Sequence, residues 1–268
     1  MTDLPHTEAL DLEYEAGWLT VWFNQPESRN PLTGERVSEL NAVCAAIRDN
    51  RDIRGVTVRG RGGIFCAGGD LKAFKSAFQG EASRDDIVAM SLDAAALFDA
   101  VNTLPQVTVM AIEGAAMAGG FGLACVGDVV IAEEGARFSL TETMIGLTPA
   151  QISPFVLQRL GTREGRRLML LASTLDAAEA RSAGLVDTVV SGSAAVDAEI
   201  ESIRKQVRRC APGAVAETKR LILTLPAMER KAQAKAAAES FADRMVSDEA
   251  REGVASFLEK RKPEWVER

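Results

Sequence analysis

Glu113-Gly-Ala-Ala-Met-Ala-Gly-Gly-Phe-Gly122 is the stretch whose reading decides the fold. It has a counterpart upstream, Gly60-Arg-Gly-Gly-Ile-Phe-Cys-Ala-Gly-Gly-Asp70. Each glycine-dense turn follows an apolar run of strand type, Val56–Arg59 or Val107–Ile112, and leads into residues of helical type. Strand, glycine turn and helix thus occur twice in the same order. That order argues for a crossover α/β architecture and against a β-sandwich. Taken alone, either turn reads as a tight connection. Taken together, both place small residues at helix entrances, where free N–H groups point outward. Two such N–H groups converging on one oxygen would form an oxyanion hole.

Working outward, Leu10–Tyr14 and Leu19–Phe23 read as a hairpin about Gly17. Thr33 to Asp49 has helical spacing at Val37, Leu40, Val43 and Ile47, with Thr33 as N-cap. A helix is expected to start at Asp70, and another to run from Ile87 to Val101. Residues 120–125 read as helix and Val129–Ala132 as strand. From Ser153 the chain reads as mostly helical, over 153–160, 162–172, 176–183, 193–209, 213–224, 228–246 and 248–260, with a short strand at Val186–Val190. The expected organisation is a mixed core over 1–200 and a helical region over 201–268.

Composition removes whole classes of function. A chain of 268 residues with 47% hydrophobic and 26% charged content is that of a globular protein with a sizeable core. A net charge of −7 and the lack of a long basic run argue against nucleic acid as a partner. The longest uncharged stretch, Gly114–Gly127, is too short and glycine-rich for a membrane-spanning helix. The N-terminus lacks a basic start followed by an apolar run, so it does not read as a secretory signal. Cys44, Cys66, Cys125 and Cys210 have no CxxC spacing, which points to reduced thiols in a cytoplasmic setting and to no metal. His6 is the only histidine, so acid–base work falls to carboxylates.

Phosphate-loop readings fail on spacing. GxxxxGK[ST] and GxSxG are absent, and Gly120-Phe-Gly122 meets Cys125 where GxGxxG needs a third glycine. Glu142, in Phe138-Ser-Leu-Thr-Glu142-Thr-Met-Ile-Gly146, is a lone carboxylate among apolar residues. Exposed, it would be an ordinary surface residue. Buried, it would have a raised pKa and suit proton transfer.

At these residues the chain resembles the crotonase superfamily, the enoyl-CoA hydratase/isomerase family. Phe65–Lys72 is similar to that family's first oxyanion segment, Glu113–Asp128 to its second, and Phe138–Gly146 to the segment carrying a catalytic glutamate. Pro26-Glu-Ser-Arg-Asn-Pro-Leu32 resembles its coenzyme A loop, and Lys260-Arg-Lys-Pro-Glu-Trp265 its ending. The resemblance implies an α/β spiral of ββα units with a helical C-terminal trimerisation region, assembled as a homotrimer or a dimer of trimers. It implies that the N–H groups of Gly69 and Gly119 hold a thioester oxygen and that Glu142 transfers the proton. Ser28, Arg29, Ala67, Gly69, Asp70, Leu71, Lys72 and Gly119 would line the path of an acyl-CoA substrate. Coenzyme A enters as part of the substrate, with no separate cofactor.

One departure stands out. Where ordinary hydratases of the family carry a second glutamate, this chain has Gly122. Gly119–Val126 and Gly146–Phe155 look like hydratases of branched glutaconyl-CoA thioesters. Arg208–Pro212 and Arg261–Trp265 are most similar to those acting on isohexenylglutaconyl-CoA in acyclic terpene breakdown. Methylglutaconyl-CoA hydration and Δ3–Δ2 isomerisation are the alternatives. A glycine at 122 is expected to leave room for the substrate's branch. Met117, Phe121, Met144, Ile152 and Phe155 read either as walls of an acyl site or as plain core. Lys260–Lys262 reads either as a contact for coenzyme A phosphates or as a solvated helix end.

Overall fold

A computed structural model describes residues 4–70, 75 and 79–266. Strands β1 (Leu10–Glu15) and β2 (Trp18–Phe23) form the expected antiparallel hairpin. Ala16 and Gly17 both take positive φ at its tip, the conformation that matches a two-residue hairpin turn to the strand twist. Helix α1 (Gly34–Ile47) begins where expected, with the Thr33 hydroxyl accepting from Arg36 N at 3.2 Å. β3 (Gly55–Gly60) then pairs in parallel with β2. The helix expected from Asp70 falls on residues outside those described.

Helix α2 (Arg84–Asn102) opens on a capping box between Ser83 and Asp86. It leads to β4 (Val107–Ile112), β5 (Ala115–Met117), α3 (Gly119–Val126), β6 (Val129–Glu133) and β7 (Arg137–Ser139). Helix α4 (Ser153–Leu171) is interrupted at Gly161, whose φ of 71° and ψ of 169° leave the helical region, so the division between 160 and 162 is real. There follow β8 (Leu175–Asp176), α5 (Ala177–Ser182), β9 (Thr188–Val190), α6 (Ser193–Arg208), α7 (Pro212–Thr224), α8 (Arg230–Met245) and α9 (Asp248–Leu258). Residues 200 and 201 both lie inside α6.

Six strands form one sheet in the order β1-β2-β3-β4-β6-β9, parallel except for β1. Its parallel strands are covered on both faces, as such sheets require. Met110, Ile112, Val130 and Ala132 face α1, α2 and α3, whereas Val109, Ala111 and Ile131 face Val196, Ile203 and Val207 of α6. A second, smaller sheet, β5-β7-β8, was not expected from the sequence. Its strands have three residues or fewer, too short to show a period of two, and β5 lies within the second glycine turn.

The helical C-terminal part is fastened to the main sheet by two buried cations. Lys219 Nζ on α7 meets Asp128 Oδ2 at 2.7 Å, and the same carboxylate oxygen accepts from Thr108 N at 2.8 Å. Arg54, just before β3, donates to the carbonyls of Val207, Cys210 and Trp265. Among the described residues no helix is long and apolar enough to cross a membrane.

The loop before α1 is held by Asn30. Its side chain is fully buried, accepts from Gln25 N at 2.8 Å and donates to the carbonyls of Arg61 at 3.0 Å and Ile64 at 2.6 Å. Its φ of 52° lies in the left-handed region that asparagine tolerates better than alanine. Asn30→Ala should therefore cost about 3 kcal/mol, from lost bonds and backbone strain together. Urea denaturation checks this; a cost near zero would show that the loop is held otherwise.

Candidate active site

The small sheet brings three segments together. Cys66 bridges in parallel to Ala116, and Ala116 pairs in parallel with Phe138 of β7. The bonds Phe65 N to Glu113 O, Cys66 N to Ala115 O and Met117 N to Cys66 O, each 2.9 Å, zip the first two together. Ala118 N donates to Ser139 O at 2.8 Å and extends the pairing to the third. In this register Gly69, Gly119 and Glu142 follow three, three and four residues beyond one cross-strand row. All three come to the same end of the ladder.

Close approach decides the residue types. Gly68 has a φ of +102°, and a Cβ there would stand 2.9 Å from Ala118 Cβ and 3.2 Å from Met117 O. A side chain would wedge the two glycine turns apart. Ala118 itself takes a φ of 48° and ψ of −114°, a strained setting for a residue with a side chain. It turns the chain abruptly into α3, whose first N–H, that of Gly119, has no intrahelical acceptor. Gly69 N also lacks a hydrogen-bond acceptor among the described residues.

The loop resembling a coenzyme A loop runs beside the first turn. Ala67 N donates to Arg29 O at 3.0 Å and Leu32 N to Gly68 O at 2.8 Å. Ser28 and Arg29 are exposed on it, and Leu32 bridges in parallel to Gly69. Leu71 and Lys72 lie outside the described residues. Beneath the turns, Arg59 of β3 reaches Glu113 Oε2 at 2.6 Å, Asp197 Oδ1, and Ser193 Oγ at 3.0 Å. Burial works against this guanidinium, yet its hydrogen bonds to Glu113 and Asp197 raise its pKa overall. The pair fixes the entrance of the second turn to the strand that feeds the first.

Glu142 opens a 3-10 turn, Glu142–Ile145, closed by Gly146 in the left-handed region. The side chain is half-buried, and Oε2 is buried with no hydrogen-bond partner among the described residues. Burial raises its pKa, with partial relief from its own backbone N–H. Such a carboxyl holds its proton to higher pH than an exposed one, as a proton donor must. The neighbours Met144 and Ile145 are exposed, at 72% and 56%.

The room expected at Gly122 is not there. A Cβ at that position would lie 2.3 Å from Ile152 Cγ2 and 3.0 Å from Phe98 Cε1. Both side chains are buried, and Phe98 packs on Phe155 with ring centroids 6.1 Å apart. The absent side chain is replaced by an apolar plug from α2 and the start of α4. Of the other expected walls, Phe121 is plain core, edge-on to Phe138 at 6.5 Å. Arg261 is already paired with Glu252 and Glu259. Asn30, Arg36, Phe98 and the Arg59–Glu113 pair were missed as site-shaping residues, because their partners lie far off in sequence.

An α/β fold with a helical C-terminal region, two glycine turns and a half-buried glutamate joined through one small ladder, fits a known class. The chain belongs to the enoyl-CoA hydratase/isomerase family, whose sequence model matches residues 13–268. The structure is similar to Pseudomonas aeruginosa AtuE, at 41% identity and a TM-score of 0.93, covering 97% of this chain and 100% of that one. It is also similar to an enoyl-CoA hydratase/isomerase from Marinobacter aquaeolei, at 38% identity and a TM-score of 0.92, covering 96% and 99%. Among curated proteins, the carnitinyl-CoA dehydratase of Proteus mirabilis is 30% identical over 266 residues, 97% of this chain and 98% of that one.

Two measurements probe this geometry without substrate. Gly122→Ala should destabilise by about 1–3 kcal/mol through overpacking. Ile152→Ala should relieve that clash, so a double-mutant cycle should show coupling of at least about 1 kcal/mol; simple additivity would refute the plug. For Glu142, the folded pKa lies above the ordinary 4.5, so its ionised form costs stability once pH exceeds the folded value. Below the ordinary value both states are protonated and the cost vanishes. Glu142→Gln should therefore melt above wild type at about pH 8 and converge with it at about pH 4. Parallel melting curves across that range would show an unburied carboxylate.

Proposed function

We propose that this protein hydrates a branched 2-enoyl thioester of coenzyme A. The observation that carries the reading is the buried Oε2 of Glu142, unpartnered among the described residues, at the ladder end shared with the N–H groups of Gly69 and Gly119, which have no acceptor among those residues. In this reading the thioester oxygen accepts from both N–H groups. Water adds to the β-carbon as it gives up a proton to the Glu142 carboxylate, and the π-electron pair of the double bond moves onto that oxygen. Glu142 then delivers its proton to the α-carbon. Each N–H contributes more as negative charge develops, and loss of one would raise the barrier by about 3–4 kcal/mol. Ser28, Arg29, Ala67, Gly69, Asp70 and Gly119 line the coenzyme A path, and the family resemblance alone adds Leu71 and Lys72 to that set.

The finer reading is an isohexenylglutaconyl-CoA type of substrate, with methylglutaconyl-CoA as the shorter alternative. It is supported by the resemblance of Gly119–Val126 and Gly146–Phe155 to hydratases of branched glutaconyl thioesters. Exposed apolar Met144 and Ile145 beside Glu142 suit an apolar tail. A substrate of this type carries its own carboxylate, which would position water in place of the missing glutamate. Assembly as a homotrimer or a dimer of trimers belongs to the same reading. Exposed Phe241, Met245, Val254, Phe257 and Leu258 on α8 and α9 support it. A cytoplasmic setting agrees with four cysteines that form no disulfide.

A second reading, Δ3–Δ2 isomerisation, is favoured by the plug at Gly122, because a proton shuttle needs only one carboxylate. Oxygen-18 water separates the two. With isohexenylglutaconyl-CoA and methylglutaconyl-CoA offered in parallel, label is expected in a hydroxylated product, and Glu142→Gln should lose about two to four orders of magnitude in kcat. Double-bond migration without label would establish the isomerase instead.

A further inference from the structure

We infer that Arg36 is a positioning residue for the Gly69 N–H, a buried guanidinium that holds the Pro31–Gly69 strip and lends it positive charge. The inference rests on the enolate reading above. Arg36 lies in the first turn of α1 and is fully buried, the largest side chain so enclosed. Nη1 donates to Pro31 O, and the guanidinium lies 5.0 Å from the centroid of the Phe23 ring. Nε and Nη2 are buried with no hydrogen-bond partner among the described residues.

Among the described residues, no carboxylate is in ion-pair contact with this charge. Glu27, Glu35 and Glu39 act on it only at a distance, and none of them forms an ion pair with it among the described residues. Cys66 is close enough to act on it electrostatically, but burial pushes that thiol up to about 11, so it is neutral at physiological pH. An arginine stays protonated even when burial lowers its pKa, so the cation is uncompensated. Burying an unpaired charge costs stability, and an apolar residue would avoid that cost.

Its position relates it to the oxyanion strip. Pro31, which it holds, precedes Leu32, whose N–H donates to Gly68 O at 2.8 Å. Cys66, which feels its charge, accepts from Gly68 N at 3.4 Å through Sγ. Gly68 is therefore gripped from two sides, and Gly69 is the next residue. In the ground state the thioester oxygen is neutral and the cation gains little. When the electron pair moves onto that oxygen, the buried charge acquires a partner across low-dielectric protein. The interaction grows toward the transition state, so it acts on the rate more than on binding.

The test is exchange of the α-protons of butyryl-CoA in deuterium oxide, which requires an enolate and no hydration. The α-carbon–hydrogen bond breaks, its proton passes to the Glu142 carboxylate and the electron pair to the thioester oxygen. A deuteron then returns by the same path. Arg36→Met is expected to melt at or above the wild-type temperature, to bind butyryl-CoA within about twofold, and to exchange about tenfold more slowly. Arg36→Lys, which keeps the charge, should recover most of the rate. Should the methionine variant not fold, Arg36→Gln against Arg36→Lys makes the same comparison of charge lost and charge kept. A folded, uncharged variant exchanging at the wild-type rate overturns the inference, as does a lysine variant no faster than the uncharged one. Wild-type protein that binds butyryl-CoA without exchanging it overturns the enolate reading itself.

Discussion

The site depends on one run of backbone hydrogen bonds, the parallel ladder that joins Cys66, Ala116 and Phe138. A shift of one residue in either pairing would carry Gly69 or Glu142 out of step with Gly119 and turn each side chain to the opposite face. Register is therefore the quantity the surrounding residues defend. Asn30 pins the loop on one side, and the Arg59–Glu113 pair locks the base of both glycine turns. Gly68 allows the contact with Met117 and Ala118 that any larger residue would open.

Much of the fold was legible from periodicity and punctuation. The Gly17 hairpin, the Thr33 cap, the break at Gly161 and the C-terminal helices all follow from local rules, because local geometry decides them. Gly69, Gly119 and Glu142 could be proposed as a set through the two glycine turns and the family they resemble. What the sequence did not disclose was set by distant partners. Strands β5, β7 and β8 exist only because they pair with each other. Gly122 invited a reading of empty space, and only the three-dimensional path of Ile152 and Phe98 shows that the space is filled.

Charge is distributed unevenly about this geometry. Arg59 is matched by two carboxylates, so its burial is offset and its role is mechanical. Glu142 and Arg36 are each left with unpartnered polar atoms, one at the mouth of the ladder and one behind it. Both would be poor choices for stability alone. Each makes sense where charge or a proton must change place during a reaction, since a group already satisfied in the resting protein has less to gain from the transition state.

Arg54 has a consequence for how the chain comes to be folded. Its guanidinium, just before β3, donates to the carbonyl of Trp265, 211 positions later. On a ribosome the central strand emerges early, and this partner emerges roughly 10–40 s afterwards at ordinary rates of synthesis. During that interval the sheet's N-terminal edge carries a cation whose final acceptor does not yet exist. The contact that ties Arg54 to Trp265 is thus among the most distant in sequence.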